Sequence, residues 1–303
     1  MSTVQTVRLS RREAELQRES RATAQTVETL RQMISAAAAA SAAHDAEPVQ
    51  AMLDGAVKRL ETQEAEGGDL ATLNQLWREV AAAAHTAQSM GVFGRAVEVG
   101  LPQAEKLWGR RNVRTADWIT FKGLERENRN DLSAARACYA EALEIVLAVA
   151  GEKDPQASRA ANNLGGILRR QGEYEAAEKM LLRALEMRKA VYGERHETVA
   201  TTLRNLASND RDWGRYDLSE ERYNEALASL PDGNEQASSG RLAIMHNYGR
   251  LLRDLKRYED CLKLCDESLK VIESVRGPRS TLAARFHQLK VQVFSRKRST
   301  PRR

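Results

Sequence analysis

The chain has 303 residues, 42% of them apolar and only 5% aromatic, which is enough to bury a core and favours closely packed helices over a sheet rich in Val, Tyr and Phe. The formal net charge is +5, but after Glu273 there are nine Lys or Arg and no acid, so residues 1–273 hold 47 − 9 = 38 basic against 42 acidic residues, or −4. Disorder throughout is excluded, and nucleic-acid binding by the whole surface is not expected, because the basic character belongs to one terminal segment.

In chain order, residues 1–68 are expected to form a helical extension. The start, "MSTVQTVRLSRREAELQRES", has no apolar signal core, and Glu13, Glu15, Glu19 and Glu28 argue against a mitochondrial presequence. With no apolar run near the roughly eighteen residues of a membrane span, the expected setting is cytoplasmic, with a mitochondrial or cytoskeleton-associated location as the alternative. Leu9, Leu16 and Leu30 fall on a seven-residue spacing. Thr23 interrupts that series, which favours a helix packed on the rest of the chain or on a partner over a coiled coil. A second helix begins near Pro48, and Gly67 and Gly68 break the chain.

From about residue 70 to about 275 the sequence repeats itself. Gly172, Tyr174, Ala177, Ala184 and Leu185 return 42 residues later as Gly214, Tyr216, Ser219, Ala226 and Leu227, then as Lys256, Tyr258, Cys261, Ser268 and Leu269. One period earlier they read Asn130, Leu132, Ala135, Ala142 and Leu143, and a further copy stands slightly out of step at Gly91, Phe93, Ala96 and Ala104. Within a unit, Leu164, Gly165 and Leu168 share one helical face, and Tyr174, Ala177, Leu181, Ala184 and Leu185 share another. Each unit is therefore a helical hairpin that cannot bury both faces alone, and five of them imply an all-α solenoid. Lys122 in place of Leu164 and Asp210 in place of Leu168 make the second and fourth units less regular. The link after Leu227, "ASLPDGNEQASSG", gains turn formers.

The stretch "NNLGGILRRQGEYEAAEKMLLRALEMRKAVYGERHETVATTLRNLA" resembles the tetratricopeptide repeats in the 42-residue form of kinesin light chains. The likeness includes the links through Gly193, His196, Val199 and Ala200 and through Gly151, Asp154 and Pro155. It implies a right-handed superhelix over residues 69–277, closed by a helix and basic tail over 278–303, with first helices lining a concave groove. The implied groove positions are Arg159, Asn162, Gly166, Arg169 and Arg170, then Arg204, Ser208, Arg211 and Asp212, then His246, Arg250, Arg253 and Asp254. Seven arginines against two acids favour a carboxylate-rich ligand, because guanidinium pairs with carboxylate bidentately and keeps its charge. Asn163, Asn205 and Asn247 match the family's recurrent asparagine, whose amide offers both donor and acceptor to a peptide backbone. Phe121 occupies the corresponding earlier position.

Local signatures of catalysis are missing. Gly165 and Gly166 lie inside a helix with no Gly-Lys-Ser/Thr element, and "HETVA" has Ala200 where a zinc protease needs its second His. Cys138, Cys261 and Cys265 are an odd count, read as small core residues. No enzymatic activity and no cofactor are expected. The partner is a protein or an acidic linear peptide, which makes the chain an interaction adaptor; the competing reading is a structural subunit built permanently into a cytoskeletal or organellar assembly. The terminal "SRKRSTPRR" reads as a disordered tail.

Overall fold

In the computed structural model, residues 24–37, 40, 46–231, 239–276 and 281–299 are described, and all regular structure among them is helical. The expectations for Leu9 and Leu16, for the link over 232–238 and for the tail over 300–303 lie outside the described residues. The chain forms two compact units, Met1–Leu107 and Trp108–Arg303.

The first unit contains α1 (24–37), α2 (Ala46–Ala65), α3 (Leu70–Thr86) and most of α4 (Met90–Trp108). Its core is built from Leu30, Leu53, Leu60, Trp77, Val80 and Phe93, all buried. Asp69 starts α3 by accepting from the Thr72 backbone N–H at 2.8 Å, the cap an orphan helix N-terminus requires.

The second unit runs α5 (Val113–Asn128), α6 (Leu132–Val149), α7 (Pro155–Arg170), α8 (Tyr174–Tyr192), α9 (Glu197–Trp213), α10 (Tyr216–Ala228), α11 (Ser239–Asp254), α12 (Tyr258–Arg276) and α13 (Thr281–Ser299). Second helices start at Met90, Leu132, Tyr174, Tyr216 and Tyr258, each 42 residues after the last. The turn before each carries one residue in the left-handed region: Gln88, Asn130, Gly172, Gly214 and Lys256, with φ of 58, 59, 81, 87 and 61°. The copy that looked out of step at Gly91 is therefore in register. A glycine is a poor guide there because Gln88 takes the strained position itself, at a cost glycine avoids.

The links do what their residues allow. Asp154 accepts from the Gln156 N–H at 2.8 Å, with Pro155 opening α7. His196 Nδ1 accepts from the Thr198 N–H at 3.1 Å while its ring stacks on Tyr192 with centroids 4.4 Å apart. "HETVA" is thus a helix cap. Hairpins close where small residues meet: a Cβ on Gly165 would stand 2.6 Å from Leu181 Cγ, and one on Gly123 2.6 Å from Tyr139 Cε1. At the end of the unit α13 buries Ala283, Phe286, Leu289 and Val293 in a cluster with Leu252, Cys261, Cys265, Leu269 and Ile272. Cys261 and Cys265 are core residues, and the Cys261 thiol donates to Gly249 O at 3.2 Å. Among the described residues no helix is long and apolar enough to cross a membrane.

Candidate groove on the first helices

Stacking places equivalent positions of successive first helices side by side. Asn205 Nδ2 donates to Asn162 Oδ1 at 3.0 Å, joining α9 to α7, and Asn247 Nδ2 donates to Ser208 Oγ at 3.3 Å, joining α11 to α9. Asn162, His246 and Asn247 are buried, whereas Asn163 and Asn205 remain partly open. Part of the amide row is thus occupied with holding hairpins together, as buried amides must be.

Most of the anticipated arginines are met by carboxylates of a neighbouring repeat or of their own helix. Arg159 is ion-paired with buried Asp117 of α5. Arg170 donates to Glu127 at 3.0 Å and to Asn130 Oδ1 at 2.8 Å. Arg169 pairs with Asp212, Arg211 reaches Asp212 at 2.6 Å and Asp254 at 3.8 Å, and Arg253 reaches Asp254 at 2.8 Å. Counting acids on α7, α9 and α11 alone missed Asp117 and Glu127, which α5 contributes. Arg211 is only 5% exposed, and its Nη1 is buried without a hydrogen-bond partner.

Arg204 and Arg250 are different: among the described residues neither has an ion-paired acid. Burial holds the Arg204 guanidinium below its usual pKa, and Arg285 and Arg169 push the same way. Burial does the same to Arg250, seconded by Arg211 and opposed by the more distant charge of Asp212. His246 stands among these charges. Burial first, then Arg285, Arg250 and Arg211, depress its imidazole to about 4, so it is neutral at physiological pH. Its ring meets Phe286 edge-on at 5.5 Å, its Nδ1 lies 3.4 Å from an Arg285 nitrogen, and the Ser208 and Tyr223 hydroxyls are 3.0 Å apart. Arg285 lies beyond the repeats that the sequence pattern marks, yet α13 starts 42 residues after α11, and that spacing gives Arg285 the position that Arg159 holds on α7.

The result is a row of guanidiniums on α9, α11 and α13 in which Arg285, Arg250 and Arg211 act on the neutral imidazole of His246, and Arg285 acts on Arg204 as well. Arg204 and Arg250 are partly desolvated, and such arginines attract anions more strongly than solvated ones such as the exposed Arg285, because the local dielectric is lower and the fork donates two parallel hydrogen bonds. Among the described residues no group of three or more His, Cys, Asp or Glu could hold a metal ion.

Residues 126–190 and 156–232 match one family model of the tetratricopeptide repeat, and residues 241–281 match another. Among solved structures, a Rap protein complexed with competence and sporulation factor aligns with a TM-score of 0.64 at 10% identity, over 90% of this chain and 87% of its own. The apo form of the quorum sensor NprR from B. thuringiensis gives 0.62 at 13% identity, over 99% and 78%. A Podosopora anserina putative kinesin light chain with nearly identical TPR-like repeats gives 0.54 at 12% identity, over 66% and 94%. At these identities the likeness is one of fold. No curated protein matches the sequence.

Proposed function

Because this chain is a tetratricopeptide-repeat protein, we propose that it is a non-enzymatic interaction module whose first helices bind an acidic, extended peptide. The observation that carries this reading is the contrast within one row of arginines. Arg159, Arg169, Arg170, Arg211 and Arg253 are engaged by in-chain carboxylates, while Arg204 and Arg250 are partly buried with no ion-paired acid among the described residues, and Arg285 lies beside His246. A ligand carboxylate supplies the missing partner. The partly open amides of Asn205, next to Arg204 on α9, and of Asn163, one hairpin earlier on α7, then hold the ligand backbone. The Rap protein's complex with competence and sporulation factor is consistent with ligand binding by this fold.

The test is calorimetry with equal-length oligo-Glu and oligo-Lys peptides, each with free and amidated C-termini. Oligo-Glu should bind with a salt-sensitive affinity, and Arg204→Gln with Arg250→Gln should weaken it by roughly a hundredfold, about tenfold for each charge-assisted contact. Arg169→Gln with Arg170→Gln should cost much less. Equal losses for the two pairs, or preferential binding of oligo-Lys, would refute the assignment. Loss on amidation alone would place a chain terminus at the cluster in place of a side-chain carboxylate.

A further inference from the structure

One point of the groove concentrates more positive charge than a carboxylate can meet. Arg204, Ser208 and Arg211 follow one another on α9 at spacings of four and three, so they share one face. Arg250 holds the position equivalent to Ser208, 42 residues on in α11, and Asn247 of the same helix donates to Ser208 Oγ at 3.3 Å. The Ser208 and Tyr223 hydroxyls lie 3.0 Å apart. Three guanidiniums thus gather about one pair of hydroxyls, and the Tyr223 hydroxyl responds to all of them: burial pushes its pKa up, while Arg211, Arg204 and Arg250 oppose the rise.

The chain's own acids do not balance this charge. Among the described residues Arg204 and Arg250 make no hydrogen bond or ion pair, and only the more distant Asp212 offsets Arg250. Arg211 is paired, but its acids are shared: Asp212 also meets Arg169, and Asp254 also meets Arg253 and Arg296. Four guanidiniums therefore divide two carboxylates, and the buried Arg211 Nη1 has no hydrogen-bond partner. A single ligand carboxylate would leave one of Arg204 and Arg250 desolvated and uncompensated. Two carboxylates of an extended peptide do not meet at one point, because side chains two residues apart stand roughly 7 Å from each other along the strand and repel when drawn together. A phosphate monoester brings nearly two charges and three acceptor oxygens on one group at neutral pH. Given an acidic peptide in this groove, the reading on which this step rests, we infer that its anchoring residue is a phosphoserine or phosphothreonine, the phosphate held between Arg204 of α9 and Arg250 of α11. Arg211, deeper in the same face, adds its field behind them.

The test is calorimetry on the full chain with a short host peptide of Glu and Ala whose central residue is Ser, Glu or phosphoserine, and with inorganic phosphate alone. Phosphoserine should bind about tenfold tighter than Glu at the same position, the gain of one further charge-assisted contact. Arg204→Gln with Arg250→Gln should cut that advantage to about twofold or less. Neither side chain has an in-chain partner to lose, so circular dichroism of the double variant should be unchanged, and the peptide comparison on the parent protein stands even where a variant fails to fold. Equal or tighter binding of the Glu peptide overturns the phosphate assignment and leaves the acidic-peptide groove standing, whereas binding of neither peptide removes both. A phosphoserine advantage that survives in the double variant places the phosphate elsewhere and overturns the assignment to this pair. Inorganic phosphate binding as tightly as the phosphopeptide would make the cluster a site for the free ion and overturns it as well.

Discussion

Asp210, fully shielded from solvent near the end of α9, accepts a hydrogen bond from Arg222 of α10 at 2.5 Å. Arg215 reaches the same carboxylate, and both arginines also reach Glu178 of α8, at 2.8 and 3.0 Å. Two acids and two arginines thus close a ring that joins two hairpins where the neighbouring unit has Leu168. A buried charge is tolerated when its partners are all in place and is costly when they are removed.

This ring predicts an asymmetry. Removing Asp210 leaves both arginines with Glu178, whereas removing both arginines strands a buried carboxylate. Arg215→Ala with Arg222→Ala should therefore destabilise by about 3–5 kcal/mol, and Asp210→Ala by about 1–2 kcal/mol. Thermal melts of the three proteins decide it, and equal shifts would mean that the ring does not act as a unit.

His246 predicts a pH dependence with a definite sign. Its folded pKa is about 4, below the ordinary value of 6.5, so the unfolded chain binds the extra proton between those values. Stability is complete above pH 6.5 and falls as pH drops toward 4, by on the order of 3 kcal/mol. His246→Gln should flatten this part of the profile. Melting temperatures at pH 7, 5.5 and 4.5 should converge on a smaller total change in the variant.

Adjacent glycines should respond in opposite directions. Gly165→Ala drives a methyl to 2.6 Å from Leu181 Cγ, which costs about 1–3 kcal/mol. Gly166→Ala meets nothing within 4 Å and should stabilise α7 by up to about 1 kcal/mol. Urea midpoints of the two variants should straddle that of the parent protein.

For the proposed peptide groove, Asn163→Ala with Asn205→Ala should weaken oligo-Glu binding while leaving its salt dependence close to that of the parent, because amides hold a backbone and carry no charge. A change in the salt slope like that of the Arg204 and Arg250 variants would show that the asparagines act on the electrostatics instead.

The sequence by itself determined the architecture, because a period of 42 residues, the small residues at Gly165 and Ala177 and the links at Asp154 and His196 are local rules that hold wherever the hairpins end up. Even there, the register of the earliest copy needed the backbone, since Gln88 occupies a left-handed position that glycine marks elsewhere. Which arginines are neutralised was a tertiary matter. Asp117 lies 42 residues before Arg159, and Glu127 lies 43 before Arg170, so each pair is made only when one hairpin stacks on the next. The same stacking turns Asp210 from a flaw in the repeat into the centre of an ion-pair ring, and brings Arg285 to His246 across 39 residues. Periodicity fixes which face of a helix points inward; the charge a face finally shows depends on partners that only the packed neighbours supply.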